Sequence, residues 1–338
     1  MTQTMKAAVM YGPNDLRVEQ VPKPSCAEDG MLINVKGVGL CGSDIRHLTT
    51  DSRPGGYPCI FGHEHAGVIA EIGPKTRTDL KVGERVFVSP VLPHEGAHAA
   101  MGGFAEYLAL SAWNLETSNV LPLPDDVPFE NVIITEPLSS VYSCQEAVDV
   151  KPGQTVVVIG AGPVGCLHAE LARARGAGKV IVLELLDERM KMAEMVNPDH
   201  IVRGADVFEG GMEGEPVRTV RELTDGRGAD HVISANPSTV AQQQAVFMCA
   251  EGGVVTLFGG VPRGALTPLD TNTIHYSSMW LYGHFGFSLD ENKKAFDLIC
   301  SGQIKGERYI SRIMPLEEIN KAVALAQSGS VLKIVFQP

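Results

Sequence analysis

Residues 155–165 constrain the fold more than any other stretch of this chain. The β-branched run Thr155-Val156-Val157-Val158-Ile159 leads straight into Gly160-Ala161-Gly162-Pro163-Val164-Gly165. Val164, Leu167, Leu171 and Ala174 then recur at helical spacing. A strand that is apolar at every position is buried on both faces, which is the habit of parallel sheets. A glycine-rich turn between such a strand and a helix is the context of a dinucleotide-binding fingerprint. Gly160 permits the tight turn, Gly162 lets the backbone approach a diphosphate, and Gly165 lets helix and strand pack closely. The diphosphate then meets the free N–H groups and positive dipole end of the helix.

Glu184 ends the next apolar run, 19 residues after Gly165. A carboxylate there can accept hydrogen bonds from both ribose hydroxyls and repels the 2′-phosphate of NADP. Leu185 and Leu186 supply no basic replacement, so NAD is the expected cofactor. Arg189 either covers the adenine or is a solvated helix residue. Pro163, Val164, Gly259, Gly260, Val261 and Phe285 complete the candidate cofactor contacts. The competing reading is a glycine turn that binds nothing, and the placed acid argues against it.

At 338 residues, two domains are the natural expectation. Before residue 145 the chain reads as short strands, at 6–10, 16–21, 31–38, 67–72, 85–88 and 104–110, separated by Gly, Pro and Asn-Asp turns. After it, strands at 155–159, 179–183, 231–234 and 254–258 alternate with helices at 187–196 and 238–250, which implies a doubly wound parallel sheet. Helices at 289–300 and 316–327 and strands at 309–313 and 332–336 close the chain, the last returning to the first domain. The fold class expected is α/β, with a catalytic domain over 1–146 plus 287–338 and a nucleotide domain over 147–286.

The formal charge of −12 argues against nucleic acid and anionic membranes as partners. The N-terminus lacks a signal-peptide layout, and no apolar run nears the roughly 20 residues that span a bilayer. A cytoplasmic enzyme is the default. The seven cysteines are odd in number, widely spaced and without a CxxC, so reduced thiols are expected. Cys166 and Cys249, in apolar helical patterns, read as small core residues. Cys41 differs, because Gly and polar residues surround it in a loop.

Cys41, His63, Glu64 and Glu136 offer the thiolate, imidazole and carboxylates that Zn²⁺ prefers. Singly each is weak: a lone buried His is more often a satisfied core residue, and Glu136 before Pro137 could sit on the surface at a helix start. Together they can supply the three ligands of a catalytic site with an open position. Adjacent His63 and Glu64 would point apart on a strand, so both can ligate only from an irregular turn. The metal has a chemical purpose. Water bound to zinc ionises near pH 7 instead of about 15.7, worth roughly 12 kcal/mol toward an alkoxide if a hydroxyl behaves alike. His94-Glu95-Gly96-Ala97-His98 also fits HExxH, but Pro93, Gly96, Gly102 and Gly103 make the required helix poor.

Over essentially its full length the chain resembles zinc-dependent medium-chain dehydrogenases/reductases, and among them the polyol branch with sorbitol dehydrogenases. Gly62-His63-Glu64, Gly67 and Gly73 meet the core of the family's zinc signature, with Thr76 a minor departure at its end. The resemblance implies a GroES-like β-barrel before a Rossmann domain. It implies Cys41 and His63 as zinc ligands, Glu64 as a third ligand or close neighbour, Glu136 as a fourth ligand or a carboxylate bridging through water, and Ser43 as acceptor of the substrate's hydroxyl proton. It also suggests dimers or tetramers built through the nucleotide domain, with 280–285 a candidate segment. The family's relay His, five residues after the zinc Cys, is Arg46 here, with His47 one later. The family's four-cysteine lobe for a structural zinc has no counterpart in 90–103, which lacks cysteine, so one zinc per chain is expected.

The function this implies is NAD-linked oxidation of a secondary hydroxyl of a polyol to a ketone. The arginine usual in sorbitol dehydrogenases near His284-Phe285-Gly286 is missing, which leaves sorbitol, a sugar-alcohol phosphate, a cyclitol and a threonine-like amino alcohol open. Arg46, Arg53 and Arg263 either bind a phosphate or are merely solvated. The rivals are a simple secondary-alcohol dehydrogenase, a zinc-free enone or quinone reductase, and a non-catalytic NAD(H) sensor. An intact ligand set with Glu184 speaks against the last two.

Overall fold

The computed structural model describes residues 3–50, 56–90 and 102–338; Arg53 and His94 to His98 lie outside it. The chain divides into two compact units, one of residues 1–139 and 289–338, the other of residues 140–288. Among the described residues, no helix is long and apolar enough to cross a membrane.

The first unit is built on strands. One sheet runs, in order, Ile310–Pro315, Lys333–Gln337, Met31–Gly39, Glu64–Ile72, Arg85–Val88 and Val120–Pro122, and Tyr107–Leu110 also pairs with Met31–Gly39. Asp15–Pro22, Thr4–Gly12 and Cys59–Ile60 form a three-stranded sheet. Residues 5 and 7–10 of the first strand are all buried, joining one apolar cluster with Ile33, Leu108, Phe104 and Phe336. Phe104 and Phe336 meet edge to face, with ring centroids 5.5 Å apart, the arrangement aromatic quadrupoles prefer. The C-terminal strand enters this core by pairing Val335 with Gly39 and Phe336 with Val38.

The second unit is a six-stranded parallel sheet in the order His200–Arg203, Lys179–Glu184, Thr155–Ile159, Ala229–Ser234, Cys249–Leu257 and Trp280–Gly283. Val156, Val157 and Val158 are fully buried, as an apolar strand in the middle of such a sheet must be. Strand order reverses at Thr155–Ile159, and ligands bind such sheets at the carboxyl end of that switch point. The glycine turn begins there. Trp280–Gly283 is an edge strand, with Trp280 and Leu281 exposed.

One local expectation is refined and one is corrected. Cys41 lies in the short connection between Met31–Gly39 and Gly42–Thr49. It is the N-cap of the helix Gly42–Thr49, because Asp44 folds back to accept the Cys41 N–H at 3.0 Å. Cys249 is buried as expected, but it opens the strand Cys249–Leu257 instead of ending a helix. It pairs with Ala229, and the register then shifts across a stretch that includes Gly252, at φ +70°, before His231 pairs with Val254. Helices Thr135–Ala147, Glu215–Leu223 and Thr271–Tyr276 are not foreseen from the sequence.

Candidate active site

Three segments of the first unit converge through simple backbone devices. The strand Met31–Gly39 delivers Cys41 to the start of a helix. Gly62 adopts φ +94°, a left-handed turn that sets His63 just ahead of the strand Glu64–Ile72. That turn is why two adjacent residues reach one place. The Glu64 carboxylate fills the space over Gly39, where a Cβ would lie 2.1 Å from Glu64 Oε2. One donor atom each from Cys41, His63 and Glu64 lies within 4.8 Å of the others. Among the described residues no other trio of His, Cys, Asp and Glu converges in this way.

The second layer of contacts orients these donors. Asp44 Oδ1 lies 3.3 Å from His63 Nδ1, leaving Nε2 directed at the cluster. Nε2 is 3.4 Å from Ser43 Oγ and 4.0 Å from Glu136 Oε1. Burial opposes charge on His63, but the Asp44 carboxylate and Cys41 thiolate outweigh it and hold the imidazole pKa well above its ordinary value. A cation binding at Nε2 must therefore displace a proton. His65 faces the other way, packed against Gly103, and burial pulls its pKa down to about 4, so it stays neutral.

Lys333 is the neighbour that the sequence did not announce. Its ammonium donates to both Glu64 oxygens, at 2.6 and 2.7 Å, and to the Leu40 carbonyl at 3.4 Å. Both side chains are buried, with exposures of 4% and 0%. Burial works against a charged lysine, but Glu64 first and then Cys41 raise its pKa. Glu64 is thus engaged by a cation of the protein, whereas among the described residues the cation facing Glu136 is the His63 imidazole at 4.0 Å. Burial pushes the Glu136 carboxyl well above the usual carboxylate range, and nearby Glu64 adds to this while His63 opposes it. The helix carrying Glu136 is pinned. Ser139 Oγ donates to the Thr135 carbonyl, Asn292 Nδ2 to Ser139 Oγ, and Asn119 Nδ2 to Asn292 Oδ1, at 2.6, 2.9 and 2.9 Å.

Of the earlier candidates, Cys41, Ser43, His63, Glu64 and Glu136 are all brought together. Asp44 and Lys333 are added. Asp44 had a local signal, since an acid three residues after a cap is half of a capping box. Lys333 had none, because its partner is 269 residues away.

In the second unit the glycine turn fits a diphosphate. Gly160 has φ +108°, and a Cβ on Gly165 would lie 1.8 Å from the Gly160 carbonyl. Gly162 is open, with only Arg189 Nη1 near, 4.0 Å from where its Cβ would be. It caps the helix Pro163–Ala174 with no side chain covering the first N–H groups. Glu184 is buried. Its Oε2 accepts the Ala161 N–H at 2.8 Å, and its Oε1 accepts those of Leu185 and Leu186 at 2.7 and 3.1 Å. A Cβ on Gly259 would strike the Asn236 carbonyl, Gly260 is unobstructed, and Phe285 is fully exposed.

A thiolate, imidazole and carboxylate cluster in one unit and a glycine turn on a parallel sheet in the other together define a zinc-type dehydrogenase. Comparison with known proteins agrees. Residues 27–125 match the alcohol dehydrogenase GroES-like domain and residues 163–301 the zinc-binding dehydrogenase domain. The chain belongs to the zinc-dependent medium-chain dehydrogenase/reductase family, whose members act on CH–OH donors. It is 28% identical to a sorbitol dehydrogenase of Bacillus subtilis, with 99% of this chain and 98% of that one covered. An L-threonine 3-dehydrogenase of Ruegeria pomeroyi is 29% identical, with 98% and 99% covered. The crystal structure of a 2R,3R-butanediol dehydrogenase from Bacillus subtilis superposes with a TM-score of 0.86, at 25% identity and 99% coverage of both chains.

Proposed function

We propose that this protein oxidises a secondary hydroxyl of a polyol to a ketone, reversibly, with one zinc ion per chain and NAD. The observation that carries the reading is the convergence of Cys41, His63 and Glu64 with Asp44 already placed on His63 Nδ1. Such a donor set suits Zn²⁺, and the relatives named for sorbitol and butanediol favour substrates with neighbouring hydroxyls. Bound here, zinc supplies Lewis acidity to the hydroxyl oxygen, and the nicotinamide supplies a hydride acceptor.

The chain's own groups do the rest. Cys41, His63 and one carboxylate would hold the metal. Glu136, with no lysine or arginine hydrogen-bonded to it among the described residues, is better disposed to enter the shell than Glu64, whose two oxygens Lys333 engages. Ser43 Oγ, 3.4 Å from His63 Nε2, receives the hydroxyl proton. Arg46 cannot pass it on, since a guanidinium does not deprotonate in proteins, so the proton leaves through water or His47, whose ring stacks on Phe61.

The test is metal analysis with an NAD-reduction screen over polyols, their phosphates, cyclitols, small diols and threonine. About one zinc per chain and turnover of at least one polyol are expected; two zinc ions per chain, or turnover confined to threonine, would contradict the reading. Asp44→Asn keeps an acceptor for the Cys41 N–H but removes the charge from His63. Zinc affinity should fall about 10- to 100-fold, the usual effect of losing such a partner. Competition against a chelator reads this directly, and an unchanged affinity would remove Asp44 from the metal site.

A further inference from the structure

The cluster at the end of the strand Lys179–Glu184 holds more than the acid that the sequence singled out. A carboxylate has about four acceptor positions. Glu184 uses three of them on the N–H groups of Ala161, Leu185 and Leu186. One position remains for a ribose hydroxyl, and the three amides damp the field that would repel a 2′-phosphate.

A cation lies beside it. Arg203 ends the neighbouring strand His200–Arg203, in register with Glu184. Its guanidinium donates to the Leu185 carbonyl and to Asp187 Oδ1. The pair is exposed, at 53% and 74%, and lines a cleft of about 370 Å³ with Met190, Lys191, Glu194 and Ile201. Arg203 therefore has room to turn. Arg189 reaches over Gly162 from the same segment.

We infer that Asp187 and Arg203 form a latch that sets the preference between NAD and NADP. The inference rests on the reading of the glycine turn as a dinucleotide site. Arg203 stands where a 2′-phosphate on the ribose would need a partner, and its planar fork suits a phosphate better than any other side chain does. Asp187 occupies that fork and adds a negative charge of its own. The carboxylates of Glu184, Asp187, Glu188 and Glu194 then outnumber by one the cations of Arg189, Lys191 and Arg203, and a phosphate carrying nearly two negative charges is disfavoured. Removing the charge of Asp187 balances the count and frees the fork. An exposed ion pair is weak, so the fold does not depend on it.

Equilibrium titration of NADH and NADPH, followed by nicotinamide fluorescence at low salt, tests this without reference to turnover. The wild type should bind NADH more tightly. Asp187→Asn should lower the ratio of NADPH to NADH dissociation constants by about tenfold or more, the scale of a charge-assisted hydrogen bond. Asp187→Asn with Arg203→Gln should return the ratio to the wild-type value. An unchanged ratio in the single variant overturns the latch, and so does a ratio lowered equally in the double variant. Wild-type protein that binds neither nucleotide overturns the cofactor reading itself, and the latch with it.

Discussion

Replacing Lys333 with Met should destabilise the protein by about 3–5 kcal/mol, the cost of stranding one member of a buried ion pair. Glu64 is fully buried and both its oxygens are taken by Lys333. The methionine fills the space but leaves the carboxylate with no counter-charge in a low dielectric. For a unit of this size the thermal midpoint of the metal-free protein should fall by about 10 °C or more. The variant Lys333→Met with Glu64→Gln should recover much of the loss, because the charge is then gone from both sides. The pH dependence has a definite sign. The Lys333 pKa is raised, so its contribution is fully present below the ordinary lysine value and is lost only as pH climbs through the raised one. The contribution of the lysine is therefore insensitive near neutrality. In Lys333→Met the deficit should shrink on acidification, since neutralising the stranded carboxylate removes the unpaired charge. Equal midpoints for Lys333→Met and wild type, measured in chelator at pH 8, would show that the pair contributes nothing.

Lys333 also marks where reading the sequence stops. The motifs that could be read were local. Gly160 to Gly165 sit between a strand and a helix that their own periodicity announces, and Gly62-His63-Glu64 carries its turn within three residues. The ion pair of Lys333 with Glu64 is not local. A lysine at the mouth of the apolar run 332–336 looks like a charge flanking a strand, and only the antiparallel pairing of Val335 with Gly39 brings it to Glu64. The same applies to Asn292 and Ser139, a buried polar contact between helices distant in sequence. Glu184 shows the opposite failure. Its position was legible, but its orientation was not, because whether a carboxylate faces a ligand or its own backbone amides depends on a turn of two residues. Cys41 was legible as an exceptional loop residue but not as the cap of a helix, since a cysteine cap bears no resemblance to the usual Ser, Thr or Asp.

The second large effect is on catalysis. Cys41→Ala should remove most of the bound zinc and lower kcat/KM for NAD-linked alcohol oxidation by at least about 10⁴-fold. The size follows from what the metal does: it shifts an oxygen acid from a pKa of about 15.7 toward 7, and losing even half of that shift costs more than four powers of ten. The substitution separates metal loss from structural damage. Asp44 accepts the backbone N–H of Cys41, so Ala keeps that half of the capping box and loses only the weak half in which the sulfur faces the Asp44 N–H. Melting of the metal-free variant should match that of metal-free wild type. NADH affinity should stay within about twofold, because Gly160, Gly162 and Glu184 belong to a unit with its own sheet and core. Lost zinc with retained NADH binding assigns the thiolate to the metal. Retained zinc with lost turnover would instead make Cys41 a substrate contact, and His63, Glu64 and Glu136 would then have to hold the ion alone. Turnover surviving in Cys41→Ala would remove the thiolate from the chemistry altogether.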